Sequence, residues 1–115
     1  MTILSYNCRG LGTPTVVDSL ATLVRRNSPS LVFFSETKHF SSGMEVVRWK
    51  CRLSGCIVVP LKRRAVGLAL LWSKENQITL RSFSSHHIDA EVIEDEKSFR
   101  VTGFYGWFDH QLEKN

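Results

Sequence analysis

The chain has 115 residues and a mass of 13.1 kDa, with 43% hydrophobic residues that include seven Phe and three Trp. That length allows one domain, or part of a larger one, and the apolar and aromatic content is enough for a core and argues against a disordered chain. Fifteen basic against eleven acidic residues leave a net charge of +4 and a pI near 9.2, which suits a polyanionic partner without demanding one.

The longest apolar runs, residues 31–34 and 67–72, are far shorter than the roughly 20 residues needed to cross a bilayer. No basic segment followed by an apolar run and a small-residue cleavage site opens the chain, so secretion is not expected and the nucleus or cytoplasm is. Cys8, Cys51 and Cys56 are an odd set without a C-x-x-C pair. They argue against a disulfide framework or a cysteine-rich zinc site and for a reducing compartment. The basic residues gather at Arg25-Arg26, at 48–52 and at Lys62-Arg63-Arg64. No obligate protein partner is evident.

In chain order, residues 2–7 alternate in polarity as a strand does and run into Cys8-Arg9-Gly10-Leu11-Gly12, where two glycines mark a tight loop. Thr13 reads as an N-cap and Pro14 as the first helical residue. Val16, Val17, Leu20, Leu23 and Val24 recur at helical spacing, and Asn27-Ser28-Pro29 stops the helix. Residues 30–35 form a short, continuously apolar run, the pattern of a strand covered on both faces. A strand–helix–strand crossover within one sheet makes the two strands parallel, so their carboxyl ends share one rim.

Ser42-Gly43-Met44-Glu45 has the form of a capping box, predicting a second helix to about residue 53. Met44, Val47, Trp49 and Cys51 do not make a clean apolar stripe along it. Five short strands follow, at 56–60, 67–73, 77–84, 87–94 and 98–106, with a charged hairpin turn at 94–97. Such closely spaced strands predict an antiparallel meander. There is no repeat, linker or low-complexity segment.

The rim holds the residues with a chemical use. Glu36, at the end of a buried strand, is suited as a hard-oxygen ligand for Mg²⁺ or Mn²⁺, which keep several waters and take few protein ligands. Position alone favours the plainer reading, a solvated surface carboxylate beside Lys38. Asn7 could contact a phosphate oxygen or simply close its own turn. Tyr105, between Gly103 and Gly106, could offer its hydroxyl to a phosphate or be a half-buried strand aromatic. The adjacent His86 and His87 would face opposite sides of a strand and cannot share a metal. Asp89 shares the face of His87, as a cross-strand polar pair rather than a catalytic dyad.

Leu4-Ser5-Tyr6-Asn7-Cys8-Arg9-Gly10-Leu11-Gly12 resembles the opening motif of the endonuclease/exonuclease/phosphatase superfamily, which includes exonuclease III, the apurinic-site endonucleases and DNase-I-like enzymes. Residues 31–38, ending in Ser35-Glu36-Thr37-Lys38, resemble its second motif, and Gly67-Leu68-Ala69-Leu70-Leu71-Trp72 and Gly103-Phe104-Tyr105-Gly106 its next two strands. With His87-Ile88-Asp89-Ala90 in order between them, the wording is similar to the endonuclease domain of plant LINE-type non-LTR retrotransposons.

The resemblance implies an α/β (α+β) fold, the N-terminal half of a four-layer αββα sandwich, with the βαβ unit followed by the meander. Residues 1–115 would then be a partial domain. It further implies metal-dependent phosphodiester hydrolysis of DNA with one or two Mg²⁺ or Mn²⁺ ions. Glu36 would bind metal, Asn7 would hold the phosphate or nucleophile, and Tyr105 would contact the scissile phosphate. Two departures bear on activity. Arg9 stands where many relatives have Asp, although retrotransposon relatives often carry Arg. The family's Gly-Asp-Phe-Asn strand and terminal Ser-Asp-His motif are absent, and Asp109-His110 follows the Tyr105 strand directly, where the family has no such pair. The expectation is a truncated endonuclease domain, inactive alone, or a remnant that only binds nucleic acid.

Overall fold

The computed structural model describes residues 1–38, 41–59, 67–104 and 107–112, and side chains for 1–38, 43–59 and 67–104. Lys62-Arg63-Arg64 and Tyr105-Gly106 fall outside the described residues, as do the side chains of Asp109 and His110. Among the described residues the elements are β1 (Ile3–Asn7), α1 (Pro14–Asn27), β2 (Leu31–Ser35), α2 (Ser41–Cys51), β3 (Gly55–Val59), β4 (Leu68–Trp72), β5 (Gln77–Phe83), β6 (His87–Glu94), β7 (Lys97–Phe104) and β8 (Trp107–Leu112). They form a mixed α+β fold with two four-stranded sheets, ordered β1-β2-β4-β3 and β5-β6-β7-β8. None of its helices is long and apolar enough to cross a membrane among the described residues.

The first crossover forms as its sequence dictates. Thr13 adopts an extended conformation and its Oγ1 accepts from Val16 N at 3.3 Å, so one of the orphan amides at the start of α1 is satisfied, and Pro14 opens the helix where no amide is needed. At the other end Ser28 turns left-handed (φ 43°) and its N–H returns to Val24 O at 3.0 Å. β1 and β2 run parallel, with Ile3 opposite Leu31 and Asn7 opposite Ser35. The buried stripe of α1 is Val17, Leu20, Ala21 and Val24, whereas Val16 and Leu23 are exposed. The apolar face is therefore narrower than the sequence pattern, because a single sheet lies beneath it.

α2 already includes Ser41, so Ser42 lies inside the helix and is not its cap. Glu45 pairs one turn along the helix, where its Oε2 accepts from Arg48 Nε at 2.5 Å. The buried residues of α2 are Met44, Val47 and Cys51, a clean i, i+3, i+7 stripe once Trp49 is taken as solvent-facing.

The five anticipated strands divide between two sheets. β4 inserts between β2 and β3, antiparallel to both, with Ser35 and Val59 each opposite Leu68. β5 to β8 make a separate antiparallel meander. Asp95 and Glu96 both take positive φ (50° and 63°) in the two-residue turn between β6 and β7, the geometry whose twist matches that of the flanking strands.

Both faces of β2 and β4 are covered. Val32, Phe34, Ala69 and Leu71 pack under α1 and α2 with Val17, Leu20, Met44 and Val47. Leu31, Phe33, Leu68 and Leu70 pack against Ile88, Ala90, Val92 and Val101 of the second sheet. The layers are thus helices, sheet and sheet. At Gly103 the sheets approach so closely that an added Cβ would lie 2.4 Å from Phe33 Cε1, so β7 crosses directly above β2.

Candidate functional site

The carboxyl ends of β1 and β2 are fastened together beyond the strands themselves. Cys8 N–H donates to Ser35 O (2.8 Å), Gly10 N–H to Glu36 O (2.7 Å) and Leu11 N–H to Thr37 O (3.1 Å), while Thr37 N–H donates to Gly67 O (3.2 Å) at the start of β4. Cys8, Leu11 and Thr37 are buried and anchor the loops from below. Asn7 and Glu36, 29 positions apart in sequence, therefore lie on one rim, because Asn7 is opposite Ser35, the residue before Glu36.

The rim backbone departs repeatedly from ordinary geometry. Arg9 (φ 50°), Glu36 (φ 52°) and Lys38 (φ 53°) are left-handed without being glycine, and Gly10 and Gly67 have φ of 92° and 84°. A non-glycine residue in that region is disfavoured by roughly 1–2 kcal/mol, so it persists only where the surroundings impose it. Here the imposing contacts are the backbone hydrogen bonds donated by Cys8, Gly10, Leu11 and Thr37.

Asn7 Oδ1 accepts from Arg9 N at 3.1 Å, closing an Asx turn, so its carbonyl oxygen is committed to the loop and its amide N–H₂ is the group left to meet a ligand. Glu36 is half-buried. Its charge reaches Cys8, whose thiol is pushed up to about 12, first by burial, then by Cys51 and by Glu36. Cys51 and Cys56 are likewise raised, to about 11 and about 12, chiefly by burial. All three cysteines are free thiols, and burial makes them poor nucleophiles. Tyr105 lies outside the described residues. The strand that leads to it, β7, passes over Phe33 at Gly103.

As a metal centre the rim supplies one carboxylate among the described residues, that of Glu36. Among the described residues no group of three or more His, Cys, Asp or Glu side chains could hold a metal ion. A Mg²⁺ ion that keeps most of its waters needs only one or two carboxylates, so Glu36 fits as a single foothold and the set is not a closed cage.

A second polar group lies on the outer face of the β5–β8 sheet. Asp89 accepts from Arg100 Nε (2.8 Å) and Nη2 (2.6 Å), with Thr102 Oγ1 and Ser82 Oγ each at 3.4 Å. These bonds, Arg100 foremost, hold its carboxyl below the usual carboxylate value. His87 lies between Ser84 Oγ (2.6 Å from Nδ1) and Ser82 Oγ (3.1 Å from Nε2) and stacks on Phe104. Ser82 and His87 have the spacing of a nucleophile and base, but Asp89 is spent on Arg100 and does not orient the imidazole. The cross-strand polar reading of Asp89 holds. What sequence reasoning missed is the left-handed backbone at Arg9 and Glu36; the only local signal for it was the Asn-x-Arg-Gly turn.

Compared with known proteins, the chain matches no protein-family model and no curated sequence.

Proposed function

We propose that this chain carries the metal-binding side of a retrotransposon-type endonuclease domain, a phosphodiesterase acting on DNA in the nucleus or cytoplasm, and that residues 1–115 do not by themselves complete its catalytic centre. The observation that carries this reading is the rim: Asn7 and Glu36 are brought side by side by a parallel crossover, on a strained backbone pinned by Cys8, Gly10, Leu11 and Thr37 amides. Strain of that kind gathers at functional sites, and the carboxyl ends of parallel strands are where open α/β sheets bind ligands. A Mg²⁺ or Mn²⁺ ion, when bound, would neutralise charge developing on a phosphodiester. Glu36 would hold it, and the Asn7 amide N–H₂ would donate to a phosphate oxygen. Tyr105, at the end of the GFYG motif, is assigned the third phosphate contact on the resemblance alone.

The Asp, Asn and His that position the nucleophile and serve the phosphate in the resembled family have no counterpart here. Catalytic groups that act as a unit lose most of their acceleration together, often several orders of magnitude. The 115-residue chain should therefore fail to nick supercoiled plasmid with Mg²⁺ or Mn²⁺. Joined to the complementary half of a plant LINE-type endonuclease domain it should nick, and Glu36→Gln should abolish that activity while Glu45→Gln, which loses only an exposed helix ion pair, leaves it intact. Equal activity of the two variants would reduce Glu36 to a surface residue. Nicking by the unjoined chain that Glu36→Gln removes would overturn the claim of incompleteness.

A further inference from the structure

The end of the molecule opposite the rim carries a different kind of surface. α1 and α2 both finish there, since Leu31 and Gly55, the first residues of β2 and β3, each lie opposite Trp72 at the end of β4. Between the two helices runs a groove of about 440 Å³ lined by Asp18, Thr22, Arg25, Trp49, Lys50 and Arg52. Trp49 is 72% exposed, an unusual state for the side chain with the most apolar surface to hide.

Helix electrostatics account for part of this groove. Cations favour helix C-termini, and Arg25 Nη1 donates to Lys50 O at 2.5 Å, which satisfies an orphan carbonyl of α2. Lys50 pairs with Asp18 at 2.7 Å, linking the helices. Neither the carbonyl contact nor the Lys50–Asp18 pair involves Arg52 or Trp49. Arg52 stands just past the helix with φ 60° and makes no ion pair among the described residues. Trp49 packs into neither apolar core.

We propose that this groove binds single-stranded nucleic acid, with a base stacked on Trp49 and the adjoining phosphates on Arg52 and Arg25. An exposed indole offers a face on which any unpaired base can stack, and guanidinium groups beside it meet the backbone charge. A duplex hides its base faces, so it would engage the cations and not the ring. An apolar protein surface is disfavoured, because every neighbour of Trp49 in the groove is charged or polar, and the exposed Val46 one turn earlier is not among them. The path of the strand is bounded on one side: Arg25 and Arg52 also line a neighbouring cavity whose rim includes Glu75, Glu94 and Asp95, and that acidic edge repels phosphate. The strand therefore lies along the helices and away from the β6–β7 turn. This site stands apart from the rim, and neither reading depends on the other.

The test is fluorescence anisotropy of a labelled oligothymidylate of about ten nucleotides, in about 50 mM salt with EDTA present so that no metal-dependent binding contributes. Wild-type chain should bind saturably, with quenching of tryptophan emission. Trp49→Ala should weaken binding by roughly tenfold, whereas Trp49→Phe, which keeps a ring, should stay within about threefold while the quench disappears. Arg52→Glu should weaken binding and lower the salt slope by about one, and Arg81→Glu, an equal charge change on the other sheet, should leave both nearly unchanged. Because Trp49 and Arg52 are exposed, folded variants are expected, and circular dichroism checks that they are. Lack of saturable binding, equal binding by Trp49→Ala and wild type, equal losses in Arg52→Glu and Arg81→Glu, or tighter binding of a duplex of the same length would each overturn the proposal.

Discussion

At the scale of single residues, charge and backbone strain are placed with different consequences at the two polar groups. Glu36 is held left-handed at the rim, a conformation that glycine would adopt more easily, so its backbone there is disfavoured and imposed by its surroundings. Asp89 is the opposite case: its carboxylate collects four hydrogen bonds and serves the fold. The sign of its pH effect follows from the direction of the shift. A carboxyl held lower in the folded state than its ordinary value of 3.8 adds stability that is fully present above that value and is lost as the pH falls through the folded one. Asp89→Asn should therefore destabilise the chain at pH 7 by about 1–2 kcal/mol, the lower end being favoured by the half-exposed Arg100 head. The gap between the two proteins in urea denaturation should close as the pH is lowered below 3.8. A gap that stays constant from neutral to acid pH would mean that the ion pair contributes nothing and that Asn alone disturbs the strand.

At the scale of elements, the closest joint in the fold is between β2 and β7. Phe33 is fully buried and lies in the core between the sheets, and Gly103 leaves room for its ring. An alanine at 103 would bring its methyl carbon to 2.4 Å from Cε1 and 2.5 Å from Cδ1 of that ring, and neither strand can yield without moving its sheet. Gly103→Ala should cost roughly 1–3 kcal/mol by overpacking, with Phe33→Leu in the same background recovering part of the loss. Additive losses in the double variant, measured by thermal unfolding, would show that the two residues do not meet.

That joint also shows where the sequence stops being informative. Thr13-Pro14, the period of Val17, Leu20 and Val24, and the unbroken apolar run of β2 are local signals, and the crossover with its parallel pairing was legible from them. The assignment of β3 and β4 to one sheet and β5–β8 to another rests on contacts between residues far apart in sequence, which strand spacing does not encode; a face-to-face pair of sheets was expected on resemblance only. At α2 the S-x-x-E pattern located the helix, although Ser41 is already helical, and Trp49 obscured a regular stripe by sitting on the wet side. Asn7 and Glu36 were legible as neighbours because a crossover has one outcome. The left-handed turn at Glu36 was not, because its cause is a hydrogen bond from Gly10 in another loop.

At the scale of the whole molecule, the helices cover one face of the first sheet, and among the described residues no strand pairs with its outer edges. β1 and β3 flank that sheet, and β5 and β8 flank the other. β5 guards itself: a bulge between Leu80 and Ser82 breaks the ladder, and Arg81 places a charge on the edge. β1 has neither device. Its residues Ile3-Leu4-Ser5-Tyr6-Asn7 contain no charge and no proline, Ser5 to Asn7 are exposed, and Tyr6 is 43% accessible. An unguarded, uncharged edge is a template for pairing with another chain. The protein should therefore self-associate with rising concentration, through β1 rather than through β5. Sedimentation velocity should show larger species for the wild type at high concentration. Ser5→Lys, which puts a charge on that edge, should shift the distribution toward monomer, and Thr79→Lys on the already guarded β5 should not. A wild-type sample that stays strictly monomeric at high concentration and unfolds in one sharp, reversible thermal transition would show that the β1 edge is closed by the chain itself.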